Sequence, residues 1–261
     1  MAKSSKKNPS VGSDRQAKIQ AAAKTNNGGG ANKIVIAAVV AIVAIVAVVG
    51  GVIWSEVSKN KAVVGNGNAT PAGATIGEGF PAHPDVTLKA GAPTVDLFED
   101  FQCPGCGAYE KSVGSTITEM AEAGDIKLVY HVVNFLDARL GNDGSTKAGN
   151  GAFCAAEAGK FQEFHDLAYE NQPTEGDGWT VDQLKPLAEQ AGLSGETLTG
   201  WEKCVTLGKY TNYIKAVNDN AFDVKKIKGT PTVMINGEIL ETQTVGSPEL
   251  FKAAVEKATK K

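Results

Sequence analysis

The first strong pattern along the chain is an unbroken apolar block. Residues 34–53 are twenty consecutive positions filled only by Ile, Val, Ala and Gly. As a helix rising about 1.5 Å per residue, the block would span about 30 Å, the hydrocarbon thickness of a bilayer. No polar face interrupts it, which sets it apart from a core helix. It also exceeds the apolar core of a cleaved signal peptide (about 7–15 residues), and no strong small-x-small site follows it. Trp54 stands where an interfacial aromatic belongs, and Lys33 closes a basic flank. A single N-terminal transmembrane helix is expected over residues 34–54.

Beyond it the periodicity changes twice. Residues 55–85 are rich in Gly, Pro and Asn and read as a flexible tether, with one short strand near 86–88. From Thr94 the pattern is that of an α/β domain. Residues 94–98 read as a strand. Tyr109, Val113, Ile117 and Met120 then recur at helical spacing, and Gly124 ends the helix. Residues 126–133 read as a second, largely buried strand. The chain then inserts helical sequence over about residues 142–226. One helix is expected over 149–169, one from a Thr180/Gln183 capping box to Gly192, one over 199–207 and one over 210–224. The α/β pattern resumes with two short strands around Asn236-Gly237, a hairpin signal. Ser247-Pro248 opens a last amphipathic helix. The helical segment is therefore an insertion within one α/β domain spanning residues 86–261.

Charge sharpens this division. Of 26 basic and 29 acidic residues, seven and one fall in residues 1–33, leaving 19 and 28, a net of −9, in the remainder. The basic tail over 1–33 reads as disordered and cytoplasmic, which places everything after Trp54 outside the cytoplasm. An acidic domain lacks the electrostatic footprint of a nucleic-acid binder, so that class is excluded.

Four cysteines stand in the extracytoplasmic part, where paired thiols form disulfides. Cys103-Pro104-Gly105-Cys106 follows a strand and starts a helix, the setting of a redox-active pair. Unpaired N–H groups and the dipole at that helix start would stabilise a Cys103 thiolate, and Cys106, one turn in, would be the buried resolving thiol. Pro104 is tolerated because its missing N–H falls in the first turn. Cys154 and Cys204 lie on apolar faces of inserted helices and are expected to form a structural disulfide, the alternative being two buried free thiols. A four-cysteine zinc site would require a second close-spaced pair, and none is present. No metal or cofactor is expected. His83, His131 and His165 are assigned structural roles.

The run 99–106 (EDFQCPGC), Gly229-Thr230-Pro231-Thr232, and the segments 154–161 and 163–165 together resemble the DsbA-like branch of the thioredoxin superfamily. Within that branch the chain is most similar to membrane-anchored actinobacterial MdbA-type proteins. The resemblance covers about residues 86–259. It implies a thioredoxin-like fold with an all-helical insertion and a cis Thr230–Pro231 bond, beside which an extended substrate pairs with Thr230. It also implies an enzyme that introduces disulfides into reduced secreted or envelope proteins and is reoxidised by a VKOR- or DsbB-type membrane partner. A thiol reductase or isomerase, as in cytochrome maturation, and a metal-binding chaperone are the alternatives.

Two departures from the family pattern bear on strength and mechanism. Many members carry His at the Gly105 position, so Pro104-Gly105 is expected to tune the pair to a weaker oxidant. The buried acid that many relatives carry six residues before the first cysteine is replaced by Leu97. Glu99 or Asp100 could serve as a local proton relay, solvated surface acids being the plainer reading.

Overall fold

Alternating and continuous apolar runs build a central sheet in the computed structural model, which describes residues 67–259. The expected tail, the expected span over 34–54 and the first part of the expected tether lie outside the described residues. Among the described residues, no helix is long and apolar enough to cross a membrane.

The middle strand is β2, Thr94–Glu99, following β1, Phe80–Pro81, in chain order. Val95, Leu97 and Phe98 have no accessible surface, because β2 is paired on both edges and covered on both faces. One neighbour is β3, Lys127–Val132, parallel to β2 with Leu97 opposite Tyr130. The other is β4, Thr232–Ile235, antiparallel with Leu97 opposite Val233. β5, Glu238–Leu240, extends that side, and β1 pairs antiparallel with the outer edge of β3. The order is β1-β3-β2-β4-β5. Asn236 and Gly237 both take positive φ, 52° and 80°, as the predicted two-residue turn between β4 and β5 requires.

The crossover between the parallel strands β2 and β3 is helical, as a parallel pair demands. It comprises α1, Pro104–Tyr109, a π-helical turn over Glu110–Gly114, and α2, Ser115–Glu122. The predicted stripe faces inward: Tyr109, Val113 and Ile117 are buried and Met120 is half-buried.

Six α-helices, the last continued by a π-helical turn over Asn220–Val224, lie between β3 and β4. They are α3, Phe135–Leu140; α4, Gly144–Ala156; α5, Phe161–Glu170; α6, Val181–Gln190; α7, Gly195–Thr206; and α8, Thr211–Asp219. The insertion therefore starts at residue 135, earlier than expected, with a short helix whose Leu136 N–H is bonded by the buried Asp100 carboxylate at 3.1 Å. That partner is 36 residues away, so no local signal announced the helix. The single helix expected over 149–169 is two, α4 and α5. Residues 157–160 separate them, with the Lys160 N–H folded back onto the Ala155 carbonyl at 2.9 Å. The Thr180/Gln183 capping box is present at the start of α6. Cys154 of α4 and Cys204 of α7 form the expected disulfide, with Cα atoms 6.0 Å apart. The final helix, α9, Pro248–Thr259, begins where Ser247 Oγ accepts the Leu250 N–H at 3.3 Å.

The described part of the expected tether is not free chain. Phe80 is buried, with its ring 4.6 Å from Phe161 and 5.6 Å from Phe153. The Ala69 N–H reaches the Lys209 carbonyl at 3.2 Å, and the Tyr213 hydroxyl donates to the Glu78 carbonyl at 2.8 Å. Residues 67–85 thus belong to the domain. Their Gly/Pro-rich composition suggested a linker, but an aromatic anchor and an added edge strand offset the ordering entropy. The strand expected at 86–88 is not formed; the edge strand is Phe80–Pro81.

Candidate active site

The tip of β2 delivers the chain directly into α1, so Cys103 sits at the N-cap and Pro104 occupies the first helical position. The N–H groups of Cys106 and Gly107 reach the Cys103 carbonyl at 3.0 and 3.2 Å. Cys103 keeps 9% of its surface, whereas Cys106 has none, as expected of an attacked and a resolving thiol. Both are free thiols. The Cys103 thiol donates to the Thr230 carbonyl at 3.3 Å, and Thr230–Pro231 is cis. A Cβ at Gly105 would lie 3.3 Å from Pro231 Cδ and 3.6 Å from the Cys103 sulfur. The sequence-predicted residues Cys103, Pro104, Gly105, Cys106, Thr230 and Pro231 are therefore brought together, although 127 residues separate Cys103 from Thr230.

Electrostatics divides the two sulfurs. A hydrogen bond from the Cys106 thiol, the Thr230 side chain and the N–H groups of Cys106 and Gly105 outweigh burial, bringing the Cys103 thiol down to about 6. Burial pushes Cys106 well above the usual thiol range, and its hydrogen bond to Cys103 and the charge of Glu99 push it the same way. At neutral pH the balance favours a Cys103 thiolate that keeps a small accessible edge, backed by a fully buried Cys106 thiol.

The inserted helices hold the motif in place. Gln172, just past α5, donates from Nε2 to the carbonyls of Phe101 and Cys103, each at 3.0 Å. Trp179 Nε1 donates to the Phe101 carbonyl at 3.2 Å. Gln102 donates to Asp137, Asn142 and Ser145 at 2.8–2.9 Å, which ties the loop to α3 and α4.

Glu99 and Asp100 are not solvated surface acids. They keep 2% and 0% of their surface. Asp100 accepts from the N–H groups of Gln102 and Leu136 and from Ser145 Oγ, so it is a clamp on the loop. Burial lifts its carboxyl to about 7 despite those bonds. Glu99 instead points at α5, where Oε2 lies 3.0 Å from His165 Nε2. Glu110 joins them, and the three side chains lie within 4.8 Å of one another. His131 bonds Asp96 at 2.8 Å and stacks on Phe98.

Sequence reading assigned His165 a purely structural role and did not single out Glu110. One local cue existed for Glu110: it lies four residues after Cys106 and shares its helix face. None existed for His165, which meets Glu99 across 66 residues.

A protein-family model described as thioredoxin matches residues 89–257. A putative protein-disulfide oxidoreductase of Rickettsia bellii is 26% identical over 158 residues, covering 60% of this chain and 56% of that relative. The chain thus spans little more than half of that curated relative. Oxidised DsbA of Mycobacterium tuberculosis superposes with a TM-score of 0.55 at 27% identity, covering 68% of this chain and 90% of that one. MdbA, a thiol-disulfide oxidoreductase of Corynebacterium diphtheriae, superposes with a TM-score of 0.56 at 22% identity, covering 71% of this chain and 95% of that one. The last shares the fold.

Proposed function

Because this chain belongs to the thioredoxin family, we propose that it is a DsbA-like protein disulfide oxidoreductase that introduces disulfides into secreted or envelope proteins. The observation that carries this reading is Cys103, a helix-capping thiol brought down to about 6 beside the Thr230 carbonyl, with Cys106 buried behind it. The similarity to oxidoreductases at 26–27% identity supports it.

The reaction follows from that geometry. With Cys103 and Cys106 joined, an extended substrate lies along the backbone of Thr230 and its thiolate attacks the Cys103 sulfur. The Cys103–Cys106 bond breaks and Cys106 takes the electron pair. A second substrate thiolate attacks the substrate sulfur of the mixed disulfide, and Cys103 leaves as a thiolate. The substrate dithiol becomes a disulfide, and the enzyme is left as the reduced pair.

The low thiol range of Cys103 biases the pair toward oxidising others. Relative to a thiol at 9.0, one at about 6 is about tenfold more favourable to the reduced form at pH 7. That corresponds to ~1.4 kcal/mol, or about 30 mV for a two-electron couple. The strongest oxidants of this kind, near about −120 mV, use a thiol near about 3.5. A Cys103 thiol at about 6 supports the reading, made from Gly105, that this chain is a weaker oxidant than those.

The apolar span over 34–54 and the basic tail before it support a single-pass anchor with the catalytic domain outside the cytoplasm. A reoxidant of the VKOR or DsbB type, within the same membrane, would complete the cycle.

The test mixes the purified chain, oxidised or reduced, with a reduced protein substrate whose native state holds several disulfides. The oxidised form should form those bonds while becoming reduced itself. If only the reduced form acts, by breaking or reshuffling substrate disulfides, the protein is a reductase or isomerase. Absence of any exchange would rule out both.

A further inference from the structure

Two loops flank the start of the redox helix, and their exposed charges are opposite in sign. A Cβ at Gly105 would lie 3.3 Å from Pro231 Cδ, and one at Gly107 would lie 2.5 Å from Gln172 Oε1. Both positions are in α1, and at 3.6 residues per turn they face about 200° apart. The Thr230–Pro231 loop and the loop after α5 therefore stand on opposite sides of α1, with Cys103 at its cap.

The first flank is basic. The chain enters Thr230 through Lys225-Lys226-Ile227-Lys228-Gly229, in which Ile227 is buried while Lys226 and Lys228 are exposed. Two residues of chain keep the Lys228 backbone within about 7 Å of Thr230, the residue along which the substrate lies. The three lysines stand against the single acid Asp223 in residues 222–230. A helix C-terminus favours cations within its last turn, which accounts for Lys225 and Lys226 after the π-helical turn. Lys228 lies beyond the reach of that effect.

The second flank is acidic. Gln172 and Trp179 pin the loop after α5 to the carbonyls of Phe101 and Cys103. Glu170, Glu175 and Asp177 are exposed along it, and residues 170–180 hold no Lys, Arg or His. Glu170 is the last residue of α5, where a negative charge opposes the helix dipole, so helix stability does not explain it. Elsewhere Lys160, Lys185 and Lys209 each hold a carboxylate within 3.0 Å. Among the described residues, none of the six flank charges has a salt-bridge partner.

We propose that the two flanks form a charge-polarised substrate cleft, which selects cysteines in extended segments with an acidic side chain on one side and a basic one on the other. The acidic side chain meets Lys226 and Lys228, and the basic one meets Glu175 and Asp177. This deepens the exchange reading above and rests on it. Backbone pairing with Thr230 accepts any extended segment, because main-chain hydrogen bonds carry no side-chain preference. The flank charges supply that preference and fix the direction in which the segment lies, before any S–S bond is exchanged.

The test uses the full chain in detergent, with Cys103 and Cys106 joined, and two synthetic peptides, Glu-Glu-Ser-Cys-Ser-Lys-Lys and Lys-Lys-Ser-Cys-Ser-Glu-Glu. Their composition and net charge are identical, so the intrinsic reactivity of the thiol is matched. The rate at which excess peptide reduces the Cys103–Cys106 bond is read by mass after alkylation of the freed thiols. At low salt one order should react at least ~threefold faster than the other. The gap should close in about 1 M salt, where the screening length is about 3 Å. Exchanging the flank charges, with Lys226→Glu, Lys228→Glu, Glu175→Lys and Asp177→Lys together, should invert the preferred order. Equal rates in the wild type, or an unchanged order in the exchanged chain, would overturn the proposal. A cooperative thermal transition reports that the exchanged chain is folded. Should it not fold, the lysine pair and the acid pair are reversed separately, and each change must narrow the gap; a gap that survives both overturns the proposal equally. A wild-type disulfide that neither peptide reduces would instead overturn the exchange reading.

Discussion

At the residue scale, the chemistry depends on how differently two sulfurs three positions apart are treated. Cys103 meets donors that favour its charged form, whereas at Cys106 burial, its hydrogen bond to Cys103 and negative charge outweigh a hydrogen bond to Thr230. Gly105 is the adjustable position between them, because a side chain there would lie against Pro231 and close to the Cys103 sulfur. The rate of Cys103 alkylation should therefore rise with pH about a midpoint near 6, since the thiolate forms above that point. Gly105→His would place a cation next to the thiolate, moving the midpoint down by about one unit and making the disulfide about 30 mV more oxidising. Iodoacetamide kinetics and equilibration with glutathione buffers measure the two effects; an unmoved midpoint would show that position 105 does not face the thiolate. The CxxC pair and Thr230-Pro231 were legible at this scale because each is a short motif with its own backbone requirement. The burial of Glu99 and Asp100 was not, since an acid in a strand-to-helix loop is ordinarily solvated.

At the element scale, the helical insertion serves as a brace for the redox loop. Gln172 and Trp179 bind the carbonyls leading into Cys103, and α4 is joined to α7 by Cys154–Cys204. The disulfide closes a loop with a sequence separation of 50, for which the chain-entropy model gives about 4 kcal/mol. Replacing both cysteines by Ala should lower unfolding stability by about 2–4 kcal/mol, measured by denaturant titration, while leaving Cys103 alkylation unchanged. A shift in Cys103 reactivity would mean that the brace also tunes the thiol. The four cysteines were assignable from sequence because the motif claimed two and left two on apolar helix faces. The short helix α3 was not foreseen, because the group that starts it is Asp100, on another element.

At the scale of the molecule, the redox pair sits where the tip of the central strand, the first crossover helix and the cis Thr230–Pro231 bond meet. The proposed anchor over 34–54 would decide where this machinery works: if it spans the bilayer, the chain should stay with the lipid after an alkaline carbonate wash. Its release into the supernatant would remove the transmembrane span over 34–54. Docking of residues 67–85 shortens any tether to the residues before 67 and brings Phe80 into the core. The sequence by itself determined the strands β2 to β5, the redox helix, the hairpin, the presence of a helical insertion and the cysteine pairing, because those depend on periodicity and on residues a few positions apart. Only the tertiary structure decided that a Gly/Pro-rich segment carries an edge strand and that Glu99 and His165, 66 residues apart, meet in the buried interior. The physical reason is that burial and charge pairing belong to the neighbours a fold brings together. The same glutamate would be a solvated acid on a strand end with nothing packed above it.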